Sequence, residues 1–497
     1  MGMMTKKPLK LLLEEANAEG QGTLKRTLNG VALIALGIGA IIGAGLFVRT
    51  AAAAAQNAGP SVTLAFVLAG IGCAFAGMCY AELSSSIPIS GSAYTYTFAT
   101  MGEFLAWIIG WDLVLEYAVG AATVGIAWSE YLNNFLTQVL HAAPIPYQWC
   151  HSPFQTSPEG VQGIINLPAV FIVVILSLLL IRGISESAVV NNIIVVVKVT
   201  IVILIIALGW KFMNPANHTP YIPEATKYTD HNGITYNFGG IMGILGAAGT
   251  VFFAFIGFDA VSTAAQETKN PKRNLPIGIL GSLVICTVLY ILFGYVLTGL
   301  APVEFFRDPT QGAEASVSAA ITTFMPGYAW LSGFVTIAIL AGFSSVILVM
   351  MLGQSRVFYS MSRDGLLPEV FSKIHPKYKT PYRGNLVIMV LVGLFAAFVP
   401  IDVVGHMTSI GTLFAFILVC IAVIILRKTE PDMPRHFKSP LVPLFPILGV
   451  VACTLMIFGL GWENWMRLFI WLAIGLVIYF AYGRHHSHMK NYKDRDN

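Results

Sequence analysis

The sequence predicts an all-α polytopic membrane protein with twelve transmembrane helices, of which the first and sixth are discontinuous. Three observations carry this expectation. Hydrophobic residues make up 56% of the 497 positions and charged residues only 11%, against about 25% charged in an ordinary soluble domain. Apolar runs long enough to cross about 30 Å of hydrocarbon recur from end to end. Two of those runs are interrupted by glycines, at Gly37-Ile38-Gly39-Ala40-Ile41-Ile42-Gly43-Ala44-Gly45 and at Gly246-Ala247-Ala248-Gly249 through Gly257-Phe258-Asp259.

The twelve spans are 31–48, 62–84, 103–135, 166–182, 188–210, 241–265, 276–300, 328–355, 385–400, 403–427, 443–461 and 463–482. The third and eighth exceed one crossing and are expected to tilt or to continue into solvent. Together they form one transmembrane domain over 31–482, flanked by polar segments at 1–30 and 483–497. Residues 1–30 hold no short apolar run with a cleavage site, so no cleaved signal peptide is expected.

Basic residues near helix ends are retained on the cytoplasmic side, and an even number of spans puts both termini on one side. With that side inside, the basic residues of the N-terminal segment, of the loop from Arg356 to Arg383, of the remaining inner loops and of the tail are cytoplasmic. Arg49, Lys211, Lys227, Arg307 and Arg467 fall outside. The bias fits the span list.

Lys198 belongs to neither side. It stands at the centre of the fifth span, in Val195-Val196-Val197-Lys198-Val199-Thr200. A charge there costs roughly 2.5–3.5 kcal/mol on insertion scales, and such a group normally faces the bundle interior. Two readings follow from its position: a group that exchanges a proton during transport, or a structural amine that bonds backbone carbonyls of a broken helix.

Glu116 is a second intramembrane charge, midway along the third span, with Asp112 one turn earlier on the same face. This acidic stripe can attract a cation, accept a coupled proton, pair with a basic residue or form a helix-packing network. Asp259 and Glu82 sit nearer the cytoplasmic ends of their helices, where a gate or capping contact is the simpler expectation.

Unwound backbone inside a bilayer is tolerated only where it lines a cavity or is buried in protein. Breaks in matching segments of two chain halves point to a substrate site near the midplane. N–H groups around Gly43, Ala44 and Gly45 form the positive end of a half-helix and suit a carboxylate. Carbonyls of Phe253, Ala254 and Ile256 suit an ammonium group. An α-amino acid carries both at fixed separation. The Gly39-to-Gly43 spacing fits close helix packing as well.

The stretch from Leu36 to Val48, the run Phe253-Ala254-Phe255-Ile256-Gly257-Phe258-Asp259-Ala260-Val261-Ser262-Thr263, the segment Lys269-Asn270-Pro271-Lys272-Arg273-Asn274-Leu275-Pro276-Ile277-Gly278-Ile279 and Ser362-Arg363-Asp364-Gly365-Leu366-Leu367-Pro368 carry a family resemblance. The chain resembles the cationic amino acid transporter family of the amino acid-polyamine-organocation superfamily, its bacterial members most of all, from about residue 25 to 482.

That resemblance implies a five-plus-five inverted repeat, with the first repeat over 31–210, the second over 241–427 and helices eleven and twelve over 443–482. It implies that Ile42, Gly43, Ala44 and Gly45, with Phe253, Ala254 and Ile256, hold the α-carboxylate and α-amino groups of the substrate. Phe253 would be the aromatic gate. Lys198 would replace the ion of sodium-coupled cousins, its ammonium bridging the fifth and first helices. A basic substrate side chain would want Glu116 or Asp259 in its pocket. Met350 and Met351 on the eighth span lie near the level where the pocket would close, and methionine there leaves less room for arginine, although it also serves as a core gap filler. A small neutral amino acid such as alanine is then a candidate despite the family name.

Other features carry little function. Cys73, Cys79, Cys286, Cys420 and Cys453 lie in apolar spans and Cys150 stands alone in an external loop, with no metal spacing. His485-His486-Ser487-His488 reads as a polar juxtamembrane tail, and Asn217-His218-Thr219 matches a glycosylation acceptor that matters only in a secretory host. No Gly-x-x-x-x-Gly-Lys-Ser/Thr phosphate loop is present, which leaves a secondary energy source. The expectation is therefore a non-enzymatic permease of the plasma (inner) membrane with both termini cytoplasmic. It would be a proton-coupled symporter of neutral or cationic L-amino acids working by alternating access, with Lys198 and Glu116 in proton coupling and Asp259 in the gating network. An amino acid exchanger and a non-transporting sensor are the alternatives. No cofactor, metal or nucleic acid is expected; protons and membrane lipids are expected partners, and a small accessory subunit on the outer helices stays open.

Overall fold

The computed structural model describes residues 5–17, 26–43, 45–157, 160–229, 235–308, 316–459 and 462–488. Among them, eight helices are long and apolar enough to cross a membrane, judged by length and composition. Four shorter apolar helices accompany them: Gly30–Ile41, Leu167–Arg182, Tyr382–Phe398 and Leu444–Phe458. The helix Ala329–Arg363 is 35 residues long, and helical structure from Glu103 to Thr137 covers another 35.

The boundaries have local causes. Asn29 caps Gly30–Ile41 by accepting the Ala32 N–H at 2.9 Å, and Asn166 does the same for Leu167–Arg182 with Pro168 in the first turn. Gly59, at φ 55°, ends the helical run that begins at Gly45 and separates it from Val62–Ser86. Helix Ile184–Gly209 shows how sequence and packing agree. Ile193 and Val196 point outward at 61% and 67% exposure, whereas Asn191, Lys198 and Val202 are buried. The apolar face is outermost and the polar face is inward, the inverse of a soluble helix.

The two interrupted helices run through the middle of the bundle, packed against Val62–Ser86 and Pro271–Leu300. The first is Gly30–Ile41, continued after the break from Gly45; the second is Gly240–Phe252, continued by the short turn Phe253–Phe255 and by Ala260–Thr263.

Each end of the bundle carries elements that the span list lacks. The helix Leu9–Asn17 lies in the N-terminal polar segment, and its neighbour Lys7 is buried between Asp364 at 2.6 Å and Glu15 at 2.9 Å. Tyr94 donates to Asp364 at 2.7 Å, and the His488 N–H donates to the Asp364 carbonyl at 3.0 Å. Both described chain ends therefore meet at one point. At the other end, strands Thr226–Thr229 and Thr235–Phe238 form an antiparallel hairpin with Thr226 opposite Phe238. Arg307 lies over the rings of Tyr228 and Phe238 and donates to the Ala55 carbonyl at 2.9 Å, which fastens the hairpin to the first interrupted helix.

Candidate functional site

A helix leaves its last carbonyls without backbone donors. At the end of Gly30–Ile41 these carbonyls can be accounted for one by one. The Ile38 carbonyl takes the Ile42 N–H at 3.0 Å. Lys198 donates to the Gly39 and Ile42 carbonyls and to the Ser345 hydroxyl, each at 2.8 Å. Ser345 donates to the same Gly39 carbonyl at 2.9 Å, and Tyr290 lies 2.8 Å from the Ile41 carbonyl. The broken end is thus held by side chains from three other helices. A buried ammonium at the negative end of a half-helix dipole is electrostatically matched to its place.

Asn191, two turns before Lys198, donates to the Ala35 carbonyl at 3.1 Å. A methyl on Gly39 would stand 2.3 Å from the Asn191 Oδ1. Glycine at this position lets helix Ile184–Gly209 approach closely enough for Lys198 to reach the break.

Beyond the break the positive end is open. Leu46 and Phe47 donate back to the Gly43 carbonyl at 3.2 and 3.4 Å, and no acceptor among the described residues takes the Gly43 or Gly45 N–H. Ile42 is fully buried. Ala44 lies outside the described residues.

The two breaks pack on each other reciprocally. A Cβ on Gly45 would lie 2.2 Å from the Ala254 Cα; a Cβ on Gly257, at φ 112°, would lie 2.7 Å from the Ala40 methyl. In each break a glycine faces an alanine of the other, so both glycines are required by close approach.

In the second break the three carbonyls proposed for an ammonium group differ. That of Phe253 takes the Ile256 N–H at 3.4 Å, and that of Ala254 lies 2.9 Å from the Tyr290 hydroxyl. Only the Ile256 carbonyl is without a donor among the described residues. Tyr290 has one proton for two acceptors, Ile41 and Ala254, and so ties both breaks to helix Pro271–Leu300. The Phe253 ring is partly exposed, with the Arg49 guanidinium 5.5 Å from its centroid.

Glu116 sits in a π-helical turn, Leu115–Val119, a distortion that often marks functional positions. It is buried, with Asp259 and Thr412 as its polar neighbours and no well-aligned hydrogen bond to either carboxyl oxygen among the described residues; the carboxyl oxygens of Asp112 likewise have no aligned partner. Glu116 and Asp259 lie within electrostatic reach of each other, and Asp259 accepts a hydrogen bond from Tyr117. Asp259 therefore belongs to a carboxyl–tyrosine group just past the second break. Farther along, Glu267 and Arg356 form a buried ion pair at 2.6 Å that ties the segment after this break to helix Ala329–Arg363. Glu82 takes two bonds from Arg427 at 2.8 Å and the Ser439 N–H at 2.7 Å.

On helix Ala329–Arg363, next to Ser345, Val346 faces Gly43 of the first break: its Cγ2 would stand 2.6 Å from a methyl there. Met350 is buried one turn later on that face. Met351 turns toward helix Leu167–Arg182, where Ser177 lies 3.7 Å from its sulfur. All six cysteines are free and buried, Cys150 included, and no group of His, Cys, Asp and Glu fit to hold a metal occurs among the described residues. His488 contacts the Arg363 carbonyl at 3.0 Å, a packing role for the tail.

Sequence reasoning passed over Tyr290, Ser345, Asn191 and Val346. Asn191 alone left a signal: it and Lys198 are polar positions seven apart in a largely apolar span, hence on one helical face.

Broken helices meeting inside an apolar bundle, with a buried amine clasping one broken end, are the build of a multi-pass membrane transporter. The chain belongs to the amino acid permease family, whose model matches residues 28–481, and is an amino acid transporter of the amino acid-polyamine-organocation superfamily, not an enzyme. It is 44% identical over 475 residues to a branched-chain amino acid permease of Bacillus subtilis (strain 168), covering 95% of this chain and 96% of that one. It is 39% identical over 489 residues to a methylthioribose transporter of the same organism, covering 98% of each. Cationic amino acid transporter 4 of Mus musculus is 32% identical over 438 residues, 86% of this chain and 64% of that one.

Proposed function

We propose that this permease is a proton-coupled symporter of neutral, branched-chain aliphatic L-amino acids that works by alternating access. The observation that carries the reading is the clasp of Lys198 on the Gly39 and Ile42 carbonyls. In its charged form the amine holds the end of the first half-helix in place. Loss of the proton removes one donor and the charge, loosens that end and so links proton release to movement of the first interrupted helix.

In this proposal the open N–H groups of Gly43 and Gly45, with that of Ala44, hold the substrate carboxylate, and the free Ile256 carbonyl takes the ammonium. The side chain then lies against Val346, Met350 and the Phe253 gate, an apolar surround that suits an aliphatic group. The name of the Bacillus subtilis branched-chain amino acid permease supports the same choice. Glu116 accepts the coupled proton and Asp259 belongs to its network.

Twelve crossings are the proposed topology, in which Gly30–Ile41 with its continuation from Gly45 counts as one crossing and Val62–Ser86 as the next. An inverted repeat of 31–210 with 241–427 accounts for the reciprocal glycine–alanine contacts, since a two-fold relation makes each half meet the other in the same way. Both termini are placed in the cytoplasm of a cell whose plasma membrane holds the protein, with lipid against the exposed apolar faces.

The test is competition for uptake of labelled leucine into proteoliposomes, using alanine, valine, isoleucine, lysine, arginine and methylthioribose. Strongest competition by the branched-chain set is expected. Preference for methylthioribose or for the basic amino acids would replace the substrate assignment, and uptake seen only with amino acid preloaded inside would make the protein an exchanger.

A further inference from the structure

Among the described residues Arg49 is a cation without a counter-ion beside the junction. It ends the turn Gly45–Arg49, half-buried, with its guanidinium over the Phe253 ring. Gly405, on helix Ile401–Thr429, leaves it space: a Cβ there would stand 3.0 Å from the Arg49 Nη2 and 3.7 Å from the Thr123 methyl. Among the described residues no carboxylate and no hydrogen bond holds this group. Other enclosed arginines are held: Arg356 by Glu267, Arg427 by Glu82 and Arg307 by the Ala55 carbonyl.

An arginine keeps its charge under all ordinary conditions. A fixed positive charge in a partly desolvated passage attracts a carboxylate and repels an ammonium or guanidinium, because Coulomb energies there exceed those in water severalfold. Repulsion of the wrong ligand is an effective route to specificity. We propose that Arg49 is a charge filter at the external mouth of the substrate path. It draws a zwitterion in by its carboxylate and rejects amino acids with a basic side chain. This inference rests on the junction being the amino acid site and on the termini being cytoplasmic, which puts Arg49 on the outer side of Phe253.

The experiment measures, in full-length protein reconstituted in proteoliposomes, the lysine concentration that halves leucine uptake, as a ratio to the leucine KM. Arg49→Gln is expected to lower that ratio about tenfold or more, the size of one removed like-charge repulsion at intermediate dielectric. Arg49→Lys keeps the charge and is expected to keep the wild-type ratio. Gly405→Asp places a carboxylate beside the guanidinium and is expected to act like Arg49→Gln. An unchanged ratio in Arg49→Gln overturns the filter, as does a ratio in Arg49→Lys that falls equally far. Where a variant loses uptake, the rise in Tm of purified protein with lysine decides: a larger rise than in the wild type supports the filter, and none beyond it overturns the filter. Absence of both leucine uptake and any amino acid-induced Tm rise in the wild type would instead mark failure of the underlying site assignment.

Discussion

The Lys198 ammonium stands 2.8 Å from the Ile42 carbonyl, the C-terminal cap position of the half-helix Gly30–Ile41. One residue of helix Ile184–Gly209 thereby supplies the donor for the last carbonyl of that half-helix, while Ser345 and Tyr290 serve the Gly39 and Ile41 carbonyls. Lys198→Ala leaves the buried Ile42 carbonyl without its donor, at about 1–3 kcal/mol for each unsatisfied group. The variant is expected to fold with a lowered Tm and to lose proton-linked uptake. Wild-type uptake across a pH series would remove Lys198 from the coupling.

The glycine contacts predict a pair effect. Gly43→Ala drives a methyl into Val346 Cγ2, the end of a side chain that can be shortened. Transport is expected to fall in Gly43→Ala and to recover in part when Val346→Ala is added. Gly45→Ala meets the Ala254 backbone instead, and no side-chain truncation is expected to rescue it. Uptake by the single and double variants checks both statements; rescue of Gly45→Ala by Val346→Ala would contradict them.

Tyr290→Phe removes a hydroxyl that lies 2.8 Å from the Ile41 carbonyl and 2.9 Å from the Ala254 carbonyl. A loss of about 1–3 kcal/mol is expected from the buried carbonyls left behind, together with weaker leucine binding because both breaks lose a shared anchor. Thermal unfolding and a binding isotherm on the same preparation measure the two effects, and unchanged values in both would make Tyr290 a packing residue only.

Glu116→Gln keeps the volume and π-helical position of the side chain but ends its titration. If Glu116 accepts the coupled proton, leucine uptake in this variant becomes nearly independent of external pH while binding persists. A pH profile that matches the wild type would leave Glu116 with a structural role in its network with Asp259.

His218 gives a pH dependence outside the membrane. Burial beside Tyr295 is the main cause that holds its pKa below the ordinary histidine value, against a smaller opposing effect of a backbone hydrogen bond. The folded protein takes up this proton less readily than the unfolded chain. Its contribution to stability is therefore full above about pH 6.5 and is lost as the pH falls through the folded pKa. Tm should drop on acidification more steeply in the wild type than in His218→Gln, and equal slopes would contradict the assignment.

Much of this arrangement is written in the sequence and part of it is not. The apolar runs give the spans because a bilayer demands some twenty apolar residues per helix, and the two glycine interruptions fall where the helices part. Lys198 announces itself as a charge with no water to reach. Tyr290, Ser345 and Val346, by contrast, are ordinary residues of apolar spans, and their importance lies in which backbone atom they meet. That is a property of pairs of positions far apart in the chain, as is the contact of Gly45 with Ala254. The helix Leu9–Asn17 and the hairpin Thr226–Phe238 escaped because hydropathy reports spans and is silent on short polar elements at the bundle ends.

The central claim is that the clasped junction couples proton movement to amino acid uptake. It is tested most directly by leucine accumulation in proteoliposomes empty of amino acid, with and without an inward proton gradient, for the wild type and Lys198→Ala side by side. The account predicts gradient-driven accumulation in the wild type and none in Lys198→Ala. Equal uptake with and without the gradient, or accumulation that survives the loss of Lys198, would contradict it.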